Sequence, residues 1–505
     1  MITFFSAIVV LIAGYFVYGK ITERAFGVSD RKTPAILNPD GVDYVPLPAW
    51  KAFLIQLLNI AGLGPIFGAI TGALWGPAAY LWIVFGTLLA GGVHDFFSGM
   101  MSVRENGVSI PEVIGRHLGG FMHIVMRVFS LVLLTLTGVV FMVGPAQLLH
   151  LLLPGFWSVR IWVVIILAYY LLATFLPVDK IIGRMYPIFG LFLLVMALGV
   201  AGGTIANSGS RPMMELTLRN LYPGSLGGSS QGASGALPIW PLMFVSIACG
   251  AISGFHATQS PIVSRCIRSE KNGRLVFYGA MVAEGLIALI WASAAIAFFW
   301  DKAGVGTGLL ALKNAGAGGS KTVFEICSSL LGPVGMILAI VGVIVCPITS
   351  GDTAFRGARM IVFDWFGLDE RKTNVRAAVA FVLLSIGFAV TFLDYNVVWR
   401  YFSWSNQTLA AIVLWTACAY ICKTHQDYPK RVWVALVPAV FMTDVSATYL
   451  MYAPECFSMC SRGATGTLVS HVFGTAFAMA MLAIFCSKAF FNRTVLKGAS
   501  KNHRA

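Results

Sequence analysis

The sequence predicts an all-α protein that crosses a membrane many times. Three observations carry this. The 505 residues are 58% hydrophobic and only 11% charged, where a soluble chain carries about 25% charged residues. Mean hydropathy is +0.81. Apolar runs of about 20 residues, the length an α-helix needs to cross a bilayer, recur from end to end.

About thirteen spans are expected, near residues 2–19, 50–75, 77–101, 122–149, 159–176, 185–206, 239–262, 275–300, 331–351, 374–393, 396–420, 432–452 and 466–487. The first, ITFFSAIVVLIAGYFVYG, is long enough to span. No small-residue cleavage site follows it, so it reads as a helix rather than a cleaved leader. Lys and Arg then fix the sides. Of the 35, 26 fall in loops and helix ends on one side. Eight fall on the other (Arg160, Arg211, Arg219, Lys302, Lys313, Lys321, Arg400 and Arg462), and Arg127 lies within a span. The positive-inside rule places the N-terminus outside and the C-terminus in the cytoplasm. The net charge of +14 follows this alternation and is not read as a nucleic-acid surface.

Residues 207–238, rich in Gly and Ser, are expected to form a flexible external loop, and 303–330 to include a short interfacial helix. GSSQG at 228–232 formally matches a hydrolase nucleophile elbow, but has no strand before it and no helix after it. The nine Cys lie mostly inside spans as small apolar residues. Cys456 and Cys460 sit together in a polar loop, where a disulfide is one option.

Two spans are interrupted near their middles. Span 50–75 carries Gly62, Gly64 and Pro65; span 239–262 carries Gly250, Ser253 and Gly254, followed by His256, Thr258 and Gln259. Proline removes a backbone donor and clashes with the preceding turn, and glycine tolerates the unwound chain. The alternative is that these glycines only let helices pack closely. As the second and seventh spans they stand five crossings apart, so they enter from opposite sides. That is the pattern of a LeuT-like (APC-type) 5+5 inverted repeat. The organisation expected is a peripheral helix over 1–24, repeats over 50–206 and 239–422 around the loop 207–238, two added helices over 430–492, and a basic tail over 493–505. Unwinding frees backbone groups near the bilayer centre, where half-helix N-termini attract a carboxylate and freed carbonyls hold a cation. Gly62, Gly64, Pro65, Gly250, Ser253, Gly254, His256, Thr258 and Gln259 are therefore candidate substrate contacts.

The stretches NIAGLGPIFGAITGALWG, GGVHDF at 91–96, CGAISGFHATQSP at 249–261, PITSGDTAFR at 347–356 and SWSNQTLAA at 403–411 resemble the carbon starvation protein A family across nearly the whole chain, this one being a shorter member. The resemblance implies an inner-membrane carrier that imports peptides or pyruvate when preferred carbon runs out. It also implies proton coupling for pyruvate carriers.

Ionisable groups inside spans are costly and are functional candidates by default. His94 and Asp95, about 100° apart on a helix, read either as a structural pair or as a proton relay. Metal binding there would need further ligands, and none is assigned. Glu284 is the most deeply placed acid. Asp352 and Arg356 are four apart and read as an intrahelical pair. Thr349, Ser350 and Thr353 alternatively form a sodium site with carbonyls near Gly62, as on the eighth core helix of a LeuT-type fold. Asp444 reads as structural. Ser405, Asn406 and Gln407 in SWSNQT, surrounding their helix with polar groups, must partly face a polar interior.

The expected function is a secondary transporter working by alternating access, with H⁺ or Na⁺ as driving ion, the lipid bilayer as surroundings, and no cofactor. The rivals are a Na⁺-coupled amino-acid symporter of the same fold and a channel. An enzyme is disfavoured by the lack of a HExxH or P-loop motif, and a sensor by the lack of a soluble output domain.

Overall fold

The computed structural model describes all residues except 42, 175–177, 224–236, 301–304, 317–318, 370–371, 426–427 and 503–505. The GSSQG stretch and residues 224–236 of the Gly/Ser-rich segment lie outside the described residues, as do Lys302, Arg371 and Arg504. The side chains of Lys180, Arg184, Arg493, Lys497 and Lys501 are likewise outside them. The described residues are helical apart from turns and two isolated backbone bridges, Lys32 to Ser269 and Leu47 to Ile267. Ten helices are long and apolar enough to cross a membrane, or eleven when the bent pair Ala49–Ile60 and Gly64–Trp75 counts as one span. The protein is therefore a multi-pass membrane protein. Against the thirteen expected spans, Val159–Ala173 and the pieces Leu242–Ile247 and Gly254–Ser264 fall short of a single crossing length.

Both interruptions are real breaks. At the first, the helix axis turns by 58°. Gly62 N donates to Ile60 O at 2.7 Å instead of reaching back to Leu58 O, and Pro65 has no N–H to give. Leu58 O thus loses its helical donor. At the second, Ser253 is extended (φ −145°, ψ 128°) and a new helix starts at Gly254. The breaks pack directly on one another. A β-carbon on Gly64 would collide with the Cys249 side chain, and one on Gly254 with Leu409. These two positions require glycine for close approach rather than for backbone freedom.

The remaining helices enclose this crossing. Ala78–Arg104 and Glu270–Phe298 are mostly buried, and each contains π-helical turns, Trp82–Gly91 and Arg274–Tyr278. Such turns recur near functional sites. Ile2–Phe26 exposes Phe5, Val9, Ile12, Phe16 and Val17, and Met459–Lys488 exposes Leu468, Val472 and Phe477, so both lie at the periphery. The span expected to begin at 331 starts just past Gly332 (φ 64°, ψ −179°), a non-helical residue before Pro333 that divides Ser320–Phe366 into two helices. Within 303–330, where a short interfacial helix is expected, a short helix runs over Val305–Asn314. Cys456 and Cys460 are free thiols, so the disulfide option is withdrawn.

Candidate functional site

Four ionisable side chains meet where Ala78–Arg104, Gly254–Ser264 and Glu270–Phe298 touch. His94 Nδ1 lies 2.7 Å from Asp95 Oδ1, His256 Nδ1 lies 3.0 Å from Asp95 Oδ2, and His256 Nε2 lies 3.3 Å from Glu284 Oε2. All four are fully buried. The angle of about 100° between His94 and Asp95 on their helix does not keep them apart, because the reach of the two side chains closes it. His256 Nε2 and Glu284 Oε2 stand within ion-pair distance without meeting hydrogen-bond geometry.

The chemistry follows from the inventory. Ionised Asp95 only accepts, so both Nδ1 atoms donate to it. In neutral imidazoles each Nε2 is then an acceptor. A proton shared between His256 and Glu284 must sit on His256 Nε2 or on Glu284 Oε2. The arrangement can therefore hold one proton at the His256–Glu284 end and pass it between the two side chains. Ser98 and Ser260, 3.2 Å apart, extend the polar seam between the same two helices.

Asn406 holds the second break. Its Oδ1 accepts from Phe255 N at 2.8 Å and Ser253 Oγ at 2.9 Å, capping the half-helix N-terminus, and its Nδ2 donates to Phe402 O at 2.9 Å. Gln407 Nε2 donates to Ile252 O at 3.3 Å, and Thr87 Oγ1 to Gly250 O at 3.3 Å. Asn406→Ala removes three buried bonds and orphans a helix end. A loss of about 2–4 kcal/mol is expected, seen as a lower thermal midpoint in detergent, with Asn406→Asp retaining more. An unchanged midpoint would rule the cap out.

At the first break, Ser350 Oγ and Thr349 Oγ1 donate to Leu58 O at 3.0 and 3.3 Å, the carbonyl freed by unwinding. Both also bond Cys346 O. Thr353 bonds only within its helix. Asp352 pairs with Arg356 at 3.0 Å, and Arg356 Nη2 donates to Ala173 O at 2.6 Å, which turns it toward Val159–Ala173. Thr258 bonds Phe255 O, and Gln259 bonds Thr258. Ser405 is buried. Asp444 accepts from Thr448 and Thr475, joining the last two helices. Among the described residues, no group of three or more His, Cys, Asp and Glu is arranged to hold a metal ion.

Sequence reasoning misses Arg104. This side chain grips Glu270 with two bonds of 3.0 Å, donates to Tyr420 Oη and Gly27 O at 2.6 Å each, and covers the Phe26 ring at 4.2 Å. In the sequence it counts only as a topogenic charge, and no local pattern points to partners so far along the chain.

The family described as Carbon starvation protein CstA matches residues 1–150, 155–304 and 307–449. The chain belongs to this family. An uncharacterized membrane protein of Haemophilus influenzae is 45% identical over 339 residues, covering 59% of this chain and 91% of that protein. The peptide transporter CstA of Campylobacter jejuni is 26% identical, covering 86% of this chain and 78% of that one. The pyruvate/proton symporter BtsT of Escherichia coli is 26% identical over 320 residues, covering 52% of this chain and 43% of BtsT. A crystal structure of an Eremococcus coleocola manganese transporter mutant superposes with a TM-score of 0.55 at 11% identity. It covers 90% of this chain and 99% of that one, a likeness of fold alone. The CstA family and its named relatives are transporters, not enzymes, and this chain is a membrane transporter.

Proposed function

We propose that the chain is an H⁺-coupled importer of small carboxylated nutrients, peptides or pyruvate, working by alternating access in a bacterial inner membrane. The observation that carries this is the sealed His94–Asp95–His256–Glu284 cluster beside the second break. With Asp95 ionised and one proton at the His256–Glu284 end, the cluster carries one net negative charge in a fully buried setting, which is costly. One further proton neutralises it, so the pH gradient has a site to load, and a carboxylate arriving with that proton meets no net negative charge, which is the electrostatic logic of symport.

The crossed breaks support a LeuT-like 5+5 arrangement, with repeats over 50–206 and 239–422, a peripheral helix over 1–24, two added helices over 430–492, the loop 207–238 and the tail 493–505. The charge distribution supports an external N-terminus and a cytoplasmic C-terminus. Gly62, Gly64, Pro65, Gly250, Ser253, Gly254, Thr258, Gln259, Ser405, Asn406 and Gln407 form the moving crossing that would admit substrate, closed on itself in this conformation.

A second reading, Na⁺ coupling, rests on Thr349 and Ser350 converging on Leu58 O, with Thr353 and Asp352 one turn away. Proteoliposomes with an alkaline interior, given labelled pyruvate or a labelled dipeptide in sodium-free buffer, separate the two. Uptake that collapses with a protonophore is expected. No uptake until sodium is added would overturn the proton reading.

A further inference from the structure

A cavity of about 440 Å³ sits to one side of the breaks, walled by both broken helices through Trp75 and Ser246 and by Trp399, Arg400, Ser403 and Glu455. Its size falls within the range of about 300–1,000 Å³ typical of small-molecule sites. Its ionisable ends are opposite in charge. Arg400 Nε stands 3.4 Å from Glu455 Oε1, and this is the only ion pair of Arg400 among the described residues. Tyr449 Oη donates to Glu455 Oε1 at 2.7 Å. Glu455 Oε2 and Ser403 Oγ are buried with no protein hydrogen-bond partner among the described residues, on side chains 7% and 4% exposed. Native buried polar atoms are nearly always paired, so two orphans on one cavity wall point to a ligand that pairs them.

We propose that this cavity is the receiving site for a short zwitterionic peptide, whose carboxylate takes Arg400 and whose ammonium takes Glu455. The peptide inserts between two side chains that now pair loosely with each other, so neither charge is left bare. Ser403 Oγ accepts from or donates to the peptide amide, and the Trp75 and Trp399 faces cover its apolar side chains. A 2-oxo acid has no ammonium and satisfies only half of the site. The inference rests on the transporter reading for its physiological meaning, but binding is measured separately from transport.

The test is calorimetry on the full chain in lipid nanodiscs with dialanine, N-acetyl-dialanine, dialanine amide and pyruvate. Dialanine is expected to bind best, and blocking either end to weaken binding about 10–100-fold, the worth of a hydrogen bond to a charged group. Glu455→Gln is expected to erase the penalty of N-acetylation while keeping that of amidation; Arg400→Gln is expected to do the reverse. Arg400→Lys retains part of the affinity and shows that the fold is intact. Equal binding of all four compounds, or end preferences that neither variant alters, would overturn the site. Ordinary uptake by Arg400→Gln and Glu455→Gln with wild-type preferences would overturn the site while leaving the transporter reading standing. Wild-type binding of dialanine with no uptake of any solute would overturn the transporter reading while leaving the site standing.

Discussion

Glu284→Gln is expected to abolish accumulation of substrate against its gradient while sparing exchange of labelled for unlabelled substrate across the membrane. Glutamine fills nearly the same volume and still meets His256 Nε2, but it carries no titratable proton. The carrier can then cross loaded in both directions yet has nothing to couple to the pH gradient. A drop of at least about 100-fold in pH-driven uptake is expected, the scale of losing a positioned proton-transfer group, with counterflow within a few-fold of wild type. Asp95→Asn should be harsher. Asp95 accepts from both imidazoles, and an amide there forces one of them to turn. Concentrative uptake by Glu284→Gln at the wild-type level would remove Glu284 from the coupling path. Loss of both uptake and counterflow would make its role structural.

Arg104→Ala is expected to cost about 3–5 kcal/mol, because it strands Glu270, 2% exposed, without its partner. The midpoint of thermal unfolding in detergent should fall clearly, and Arg104→Met with Glu270→Met should recover part of the loss, since no bare charge remains. The same change should alter conformation. Arg104 joins the end of the first helix, the Glu270 turn and the Tyr420 end of the Tyr395–Thr424 helix. Ser98, fully buried about one and a half turns inside that clamp, is the reporter. Ser98→Cys should resist a soluble maleimide when Arg104 is present and react when it is absent. An unreactive cysteine together with an unchanged midpoint would mean that the clamp holds nothing shut.

Much of this is legible in the chain itself. Gly62, Gly64 and Pro65, and then Gly250, Ser253 and Gly254, mark both breaks, because a proline or a cluster of glycines weakens the helical hydrogen-bond ladder in the middle of an apolar run. Glu284 and His256 are legible as costly groups in an apolar setting. The pairings are not. Asp95 meets His256 from 161 residues away, and helical periodicity carries no information across that separation. The π-helical turns before His94 and Glu284 leave no mark in the hydrophobic pattern. Arg104 and Arg400 each follow the alternation of loops so well that topology accounts for them fully, which hides their partners. Glu455 is hidden too, lying just past a helix end beside Pro454. The fresh helix after Gly332, by contrast, is legible, because Gly332 and Pro333 stand at the head of the apolar run that follows.

The cap on the second break has a mechanical consequence. Asn406 is welded to its own helix through Phe402 and to the half-helix through Phe255 and Ser253. Leu58 is fastened in the same way to the Ser320–Phe366 helix by two hydroxyls. Spin-label distances between 262 and 416 should hold constant through a transport cycle, while those from 262 to 244 change. A change in the first would dissolve the weld. The line of motion then runs through Ala248–Ile252 and Ala61–Leu63, so the hinges are a few residues of loose backbone, and the long helices ride on either side of them as solid pieces.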